Sequence, residues 1–227
     1  MKPASLTLDD ERPRPDGPDL VTYHHHLARY QFALGRMAGG ERVLDAGCGT
    51  GYGSQLLLQK AAAVVGIDNS PLAVAYAREH FAGPDIAFAP LETPIAGNPS
   101  AQMRCPDGTL ILSTPNFTTA TVHMRSIGQS NPFHIGMLDL SSFRSVLGRH
   151  FQKVELYGQR RRGNRLYSAL RALDVFNLRL RLLPSRRRES IQRAFDVPVG
   201  EAAVPESWVI ERTQLRQANQ FIAICKK

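Results

Sequence analysis

Residues 43–53 read Val-Leu-Asp-Ala-Gly-Cys-Gly-Thr-Gly-Tyr-Gly, and this run restricts the fold more tightly than any other stretch of the chain. Two apolar residues end in a carboxylate, Asp45. Three glycines (Gly47, Gly49 and Gly51) then alternate with small residues, and Ser54-Gln-Leu-Leu-Leu follows at once. A chain of this kind leaves a buried strand, turns tightly with its backbone bare, and enters a helix. A Cβ would block both the positive-φ turn and the close approach of a ligand. Val64-Val-Gly-Ile-Asp68 is a second apolar strand ending in a carboxylate, 17 residues after Gly51. An acid at the tip of the second strand is placed to accept both hydroxyls of a ribose. The two segments predict a nucleoside-binding α/β domain.

The ligand's charge follows from Asp45. A dinucleotide site offers glycine amides and a helix N-terminus to a pyrophosphate, and a carboxylate beside the loop would repel it. Asp45, two residues before the first glycine, suits a ligand with a positive amino or sulfonium group. The spacing G-x-G-x-G-x-G also departs from the dinucleotide G-x-G-x-x-G. Here the sequence resembles the class I S-adenosylmethionine (SAM) dependent methyltransferases, of the type 11/23 kind, whose first motif looks like V-L-D-x-G-C-G-T-G. The resemblance implies SAM as cofactor. It puts Gly47, Cys48, Gly49 and Gly51 in the loop, Asp45 near the methionine amino group and Asp68 on the ribose. Asn69 would touch the adenine or simply end the strand. Glu92 stands near the family's adenine-binding acid, although Leu91-Glu-Thr-Pro departs from the usual G-D-A pattern. A helix before the first strand covers the cofactor in that family, so Arg29 and Tyr30 either face SAM or, for Tyr30, pack. Cys48 is read as a small packed residue rather than a reactive thiol.

The expected architecture is a doubly wound, mostly parallel Rossmann-like sheet with an antiparallel last strand. Residues 1–20, rich in Pro, Asp and Gly, read as a mobile arm. Residues 21–159 form the SAM-binding core. Within it a helix is expected over His24–Met37, with His24-His25-His26 as a helix start with some histidines exposed rather than a metal site or tag. Strands follow at 42–46, 63–67, 86–90 and 109–113, and helices at 52–62 and 70–81. Asp139 caps a helix that turns Leu140, Phe143, Val146 and Leu147 inward. Strands at 153–157 and 220–225 look like the family's last two. Residues 160–215 read as a helical lid inserted between them, and 216–227 return the chain to the core. The resemblance covers 24–90, 106–158 and 220–226, somewhat over half of the chain.

One element is missing. Between its third and fifth strands the family has a helix, a fourth strand and another helix, about 40 residues in all, since one βαβ unit takes roughly 30. Residues 91–108 supply 18, with Pro94, Gly97, Pro99 and Pro106 among them. The fourth-strand region is therefore shortened, as in a truncated family member. Either the fifth strand pairs directly with the first, or a partner chain or another segment fills the gap.

Charge locates a second distinctive segment. Of the net +8, the stretch 160–193 carries eleven arginines against Asp174 and Glu189, so the remainder is close to neutral. Leu166, Leu170, Leu173, Phe176, Leu180 and Leu183 fall there at helical spacing. A solvated basic lid and a helix lying on an anionic membrane or lipid-linked substrate both fit. Nucleic acid is the least favoured partner, since basic charge alone steers without specifying. Three scattered cysteines, no signal-like N-terminus and no bilayer-length apolar run predict a cytoplasmic protein, membrane-peripheral at most through 160–193. Oligomeric state is not legible.

The expected reaction is O-methyl transfer to a small-molecule or glycan- or lipid-linked acceptor, without a metal. His134 is the candidate base, with a structural histidine as the alternative; Asn131-Pro132-Phe133 before it only superficially matches an amino-methylating motif. The competing reading is a catalytically degenerate SAM-binding or interaction protein.

Overall fold

The structure, a computed structural model, describes residues 13–17, 20–91, 108–119, 137–161 and 208–227. Glu92, Cys105, His134 and the arginine-rich 162–207 lie outside the described residues.

Helix α1 (Leu20–Leu34) precedes β1 (Arg42–Ala46), and two positive-φ glycines, Gly39 at 109° and Gly40 at 83°, make the turn between them. The helix starts four residues before the expected His24. All three histidines are half-buried, where some were expected to be exposed, because α1 lies between two sheets. Next come α2 (Tyr52–Leu57), β2 (Ala63–Asp68), α3 (Pro71–Phe81) and β3 (Ile86–Pro90). Ser70 caps α3 by accepting from the Ala73 amide at 3.4 Å, with proline at the first helical position. Helix α2 stops at Leu57, five residues before the expected end. β1, β2 and β3 form a parallel sheet in that order. Their carboxyl ends share one edge, where Asp45 lies opposite Gly66 and Asp68 opposite Pro90.

Strand β4 (Thr109–Pro115) and helix α4 (Leu140–Gly148) lead into β5 (Lys153–Arg161), β6 (Trp208–Glu211) and β7 (Gln220–Lys226). These strands form an antiparallel sheet of order β4-β7-β5-β6. Asp139 caps α4 by accepting from the Ser142 amide at 2.7 Å. Phe143 and Leu147 are buried as expected, but Val146 is 42% exposed, since the buried stripe of this short helix is narrow.

Three expectations change here. β1 and β4 do not pair: among the described residues β1 bonds only β2, and β4 only β7. Among the described residues the single sheet is therefore two, and no described strand joins β1 to β4 across the shortened 91–108 region. Both ends of the range read as lid are strand. β5 runs on to Arg161, and Trp208–Glu211 returns beside it in register, Arg161 opposite Trp208. Part of the arm expected to be mobile is seated: residues 13–17 form a turn closed by Gly17 N donating to Arg14 O at 3.1 Å. The buried Thr50 hydroxyl needs an acceptor, and the Pro13 carbonyl provides it at 3.0 Å.

α1 joins the two sheets. Tyr30, Ala33, Leu34 and Met37 pack on the core of the parallel half, built around Leu57, Val64, Val74, Ile86 and Phe88. Phe32 packs on Tyr157, Ile222 and Ile224 of the antiparallel half.

Candidate cofactor-binding site

The loop between β1 and α2 adopts the turn its glycines permit, with φ of +85° at Gly47, +54° at Gly49 and +86° at Gly51. The three do different work. Beside Gly47 and Gly49 a Cβ would meet nothing within 4 Å, so they border open space. At Gly51 it would lie 2.7 Å from the Ala77 Cβ and 3.0 Å from the Phe88 ring. Gly51 is thus a packing glycine that lets α3 and β3 close against the loop, while Gly47 and Gly49 make the cradle. Cys48 sits between them with only its backbone on the loop. Its side chain is 2% exposed within the parallel-half core, and burial pushes the thiol up to about 12. It is a packed, unreactive residue.

Asp68 closes the loop from below. Its Oδ2 accepts from the Gly49 amide at 2.8 Å and its Oδ1 from the Ser70 amide at 2.9 Å. Each carboxylate oxygen has two lone pairs. The acid therefore fixes the loop to β2, and its oxygens are acceptors of the kind a ligand's hydroxyl pair needs. Asn69 next to it is exposed.

Asp45 faces inward. Ser54 Oγ donates to its Oδ2 at 2.6 Å, and the Tyr30 hydroxyl reaches Oδ2 at 3.2 Å and Oδ1 at 3.3 Å. Burial raises the Asp45 carboxyl above its ordinary range and the neighbouring Asp68 adds to this, while the two hydroxyl donors oppose it. Sequence reasoning missed Ser54, whose hydroxyl is fully buried in the first turn of α2. The available signal was a small hydroxyl residue following the last glycine of the loop.

Arg29, beside Tyr30 on α1, donates to Gln159 Oε1 at 3.1 Å and lies 3.4 Å from His25 Nε2. Burial lowers its guanidinium to about 10, and no carboxylate among the described residues pairs with it. Gln159 is fully buried on β5 and ties the pair together by donating Nε2 to the His25 carbonyl at 2.8 Å. At 130 positions from Arg29, it gave no signal in the sequence. Among the described residues no cluster of His, Cys, Asp or Glu is arranged to hold a metal.

The structure therefore brings together Asp45, Gly47, Gly49, Gly51 and Asp68, adds Ser54 and Tyr30, and turns the Cys48 side chain away. An open backbone cradle flanked by two acids, with a guanidinium on α1 that no described carboxylate pairs, fits a nucleoside bearing an amino-acid chain.

Comparison with known proteins agrees. A methyltransferase-domain family model matches residues 43–101. A probable SAM-dependent methyltransferase of Mycolicibacterium smegmatis is 29% identical over 172 residues, covering 64% of this chain and 65% of that protein. One from Mycobacterium tuberculosis is 30% identical over 171 residues, covering 64% and 61%. The chain thus spans just under two thirds of the length of the curated relatives it matches. In fold it is similar to a putative methyltransferase of Haloferax volcanii solved with the Trm112 methyltransferase activator. That likeness has a TM-score of 0.54 at 17% identity and covers 93% of this chain and 94% of that one. In its glycine-loop segment and in its fold, the chain is thus similar to the class I SAM-dependent methyltransferases.

Proposed function

We propose that this chain binds SAM and transfers its methyl group to an oxygen of a small-molecule, glycan-linked or lipid-linked acceptor. The observation that carries the donor half is the open cradle at Gly47 and Gly49 between two carboxylates of different setting. Asp68, on a strand tip with loop amides on one side, takes the ribose hydroxyls. Asp45 takes the methionine amino group, and the Arg29 guanidinium takes the methionine carboxylate. Asn69 and Glu92 fall to the adenine, and His134 is the proposed base for an oxygen acceptor. When bound, the donor supplies an electrophilic methyl on a sulfonium. The chain's contribution is to hold donor and acceptor in line and keep the charged ends of the donor fixed. No described helix is long and apolar enough to cross a membrane. Contact with an anionic lipid surface falls to the basic 160–193 segment.

A second reading has its own support. Among the described residues no strand stands between β1 and β4, where the family's fourth strand would lie, and the carboxyl end of such a strand borders the transfer site. On this reading the chain keeps the donor half and has lost methyl transfer. Calorimetric titration with SAM and S-adenosylhomocysteine, run on the native chain and on Asp68→Ala, tests the donor half. Micromolar binding that Asp68→Ala abolishes is expected. Release of S-adenosylhomocysteine in an acceptor screen then separates enzyme from degenerate binder, and a folded chain that ignores both ligands refutes both readings.

A further inference from the structure

Asp45 is gripped by hydroxyls from two helices, Ser54 on α2 and Tyr30 on α1, and the second grip depends on an absence. A Cβ on residue 53 would overlap the Tyr30 ring, so the phenol crosses to Asp45 only because that residue is Gly53. The ring is held there by Tyr52, edge-on at 5.8 Å, which in turn packs on Tyr23 at 4.9 Å. We infer that Tyr30 is the positioning residue for the donor's amino group, acting through Asp45, and that Gly53 is the position that admits it. The inference rests on the reading of Asp45 given above and names the residues that make it work.

The physical need is charge. An ammonium group binds a carboxylate and not a carboxylic acid, yet Asp45 sits where burial and the Asp68 charge both favour the protonated form. The two hydroxyl donors oppose that shift and favour the charged form. Other titratable groups face it without supplying a proton or a counter-charge. The Cys48 thiol and the Tyr52 phenol are pushed up by burial and stay neutral. Tyr30 is itself raised well above its ordinary value, so its hydroxyl remains a donor. Arg29, one residue away, turns its guanidinium to Gln159. Removing one of two donors to a buried carboxylate is expected to move its titration upward.

The test is the affinity for S-adenosylhomocysteine measured from pH 4.5 to 7.5 for the native chain, Tyr30→Phe and Asp45→Asn. For the native chain the affinity should fall on acidification. Tyr30→Phe should show the same fall displaced to higher pH, weaker in the falling region and converging with the native chain near pH 7.5. Asp45→Asn should lose the part of the profile that Tyr30→Phe displaces. A merely structural tyrosine would lower affinity equally at every pH. The steric half is read by thermal melting. Gly53→Ala should be costly beside Tyr30 and close to neutral in a Tyr30→Ala background. A Tyr30→Phe profile superimposable on the native one overturns this inference and leaves the donor site standing. A Gly53→Ala cost that is the same in both backgrounds overturns the role of Gly53. A native chain that binds nothing overturns the underlying reading as well.

Discussion

The two half-sheets of this molecule are built to different standards. In the antiparallel half, β7 is buried on both faces. Phe221, Ala223 and Cys225 face the cluster under α4, while Ile222 and Ile224 face Tyr157 and the Phe32 side of α1. In the parallel half, β1 and β2 have one packed face. Val43 and Val64 turn toward α2 and α3, but Leu44 and Val65 on the reverse are 46% and 41% exposed. Parallel strands ordinarily have both faces covered. The half that carries the glycine loop and both acids is thus the more weakly packed one, and α1 couples it to the better-packed half through Arg29, Gln159 and Phe32. Chemistry and stability are separated in space, which makes the difference measurable.

The largest expected contrast comes from truncating one side chain in each half. Phe221→Ala removes a 1%-exposed ring stacked on Phe143 at 5.7 Å and should cost about 3–5 kcal/mol. Leu44→Ala, on the open face, should cost less than about 1 kcal/mol. Urea unfolding followed by circular dichroism reads both. Equal losses would break the comparison and mean that the reverse face of the parallel half is packed in solution.

The same division governs what could be read from sequence. β1, β3 and α3 fall where they were expected because each is fixed by local signals: an apolar run ending in Asp45, a short strand after a turn, and the Ser70-Pro71 start. The cradle was legible for the same reason, since its φ values are written in glycines. Long-range pairing was not. Trp208–Glu211 is four residues long, too short for alternation to show, and is a strand because β5 offers it an edge. Gln159 and Ser54 look ordinary until Arg29 and Asp45 are brought beside them. The glycines also looked equivalent in sequence. Only packing separates Gly51, which touches Ala77 and Phe88, from the two that border the cradle.

The joint between the halves should be the acid-sensitive part. His25 packs on Trp208 with the rings tilted and their centroids 4.3 Å apart, and burial, with the Arg29 charge adding to it, lowers the imidazole to about 3. His26 is lowered in the same direction by the same causes. An unfolded histidine titrates near 6.5, so between about pH 6.5 and 3 the unfolded chain binds more protons than the folded one. The stabilising effect of keeping His25 neutral is fully present above pH 6.5 and is lost as pH falls through that window, at up to about 1.4 kcal/mol per pH unit. His25→Phe keeps a ring against Trp208 and removes the proton. Thermal melts from pH 7 to 4 should fall less steeply for the variant, by one proton's worth. Identical slopes would show that α1 does not clamp the two halves through this residue.

The smallest effect has the opposite sign and tests whether the parallel half gives up stability for its site. The folded Asp45 carboxyl is raised, so the native state is the better proton binder between the ordinary carboxylate range and the raised value. Stability from this group is present at low pH and is lost as pH rises through that interval. Above it, the folded chain carries an unfavourably buried charge. Asp45→Asn removes that charge and keeps an oxygen to accept from Ser54 and Tyr30. Its melting temperature at pH 7 should therefore match or exceed the native value, by roughly 1–3 °C. The difference should close as both proteins are taken toward pH 4. A variant that is more stable yet loses S-adenosylhomocysteine would show that Asp45 is kept for the ligand and at the expense of the fold. A variant that melts lower at pH 7 would place Asp45 among the residues that hold the parallel half together.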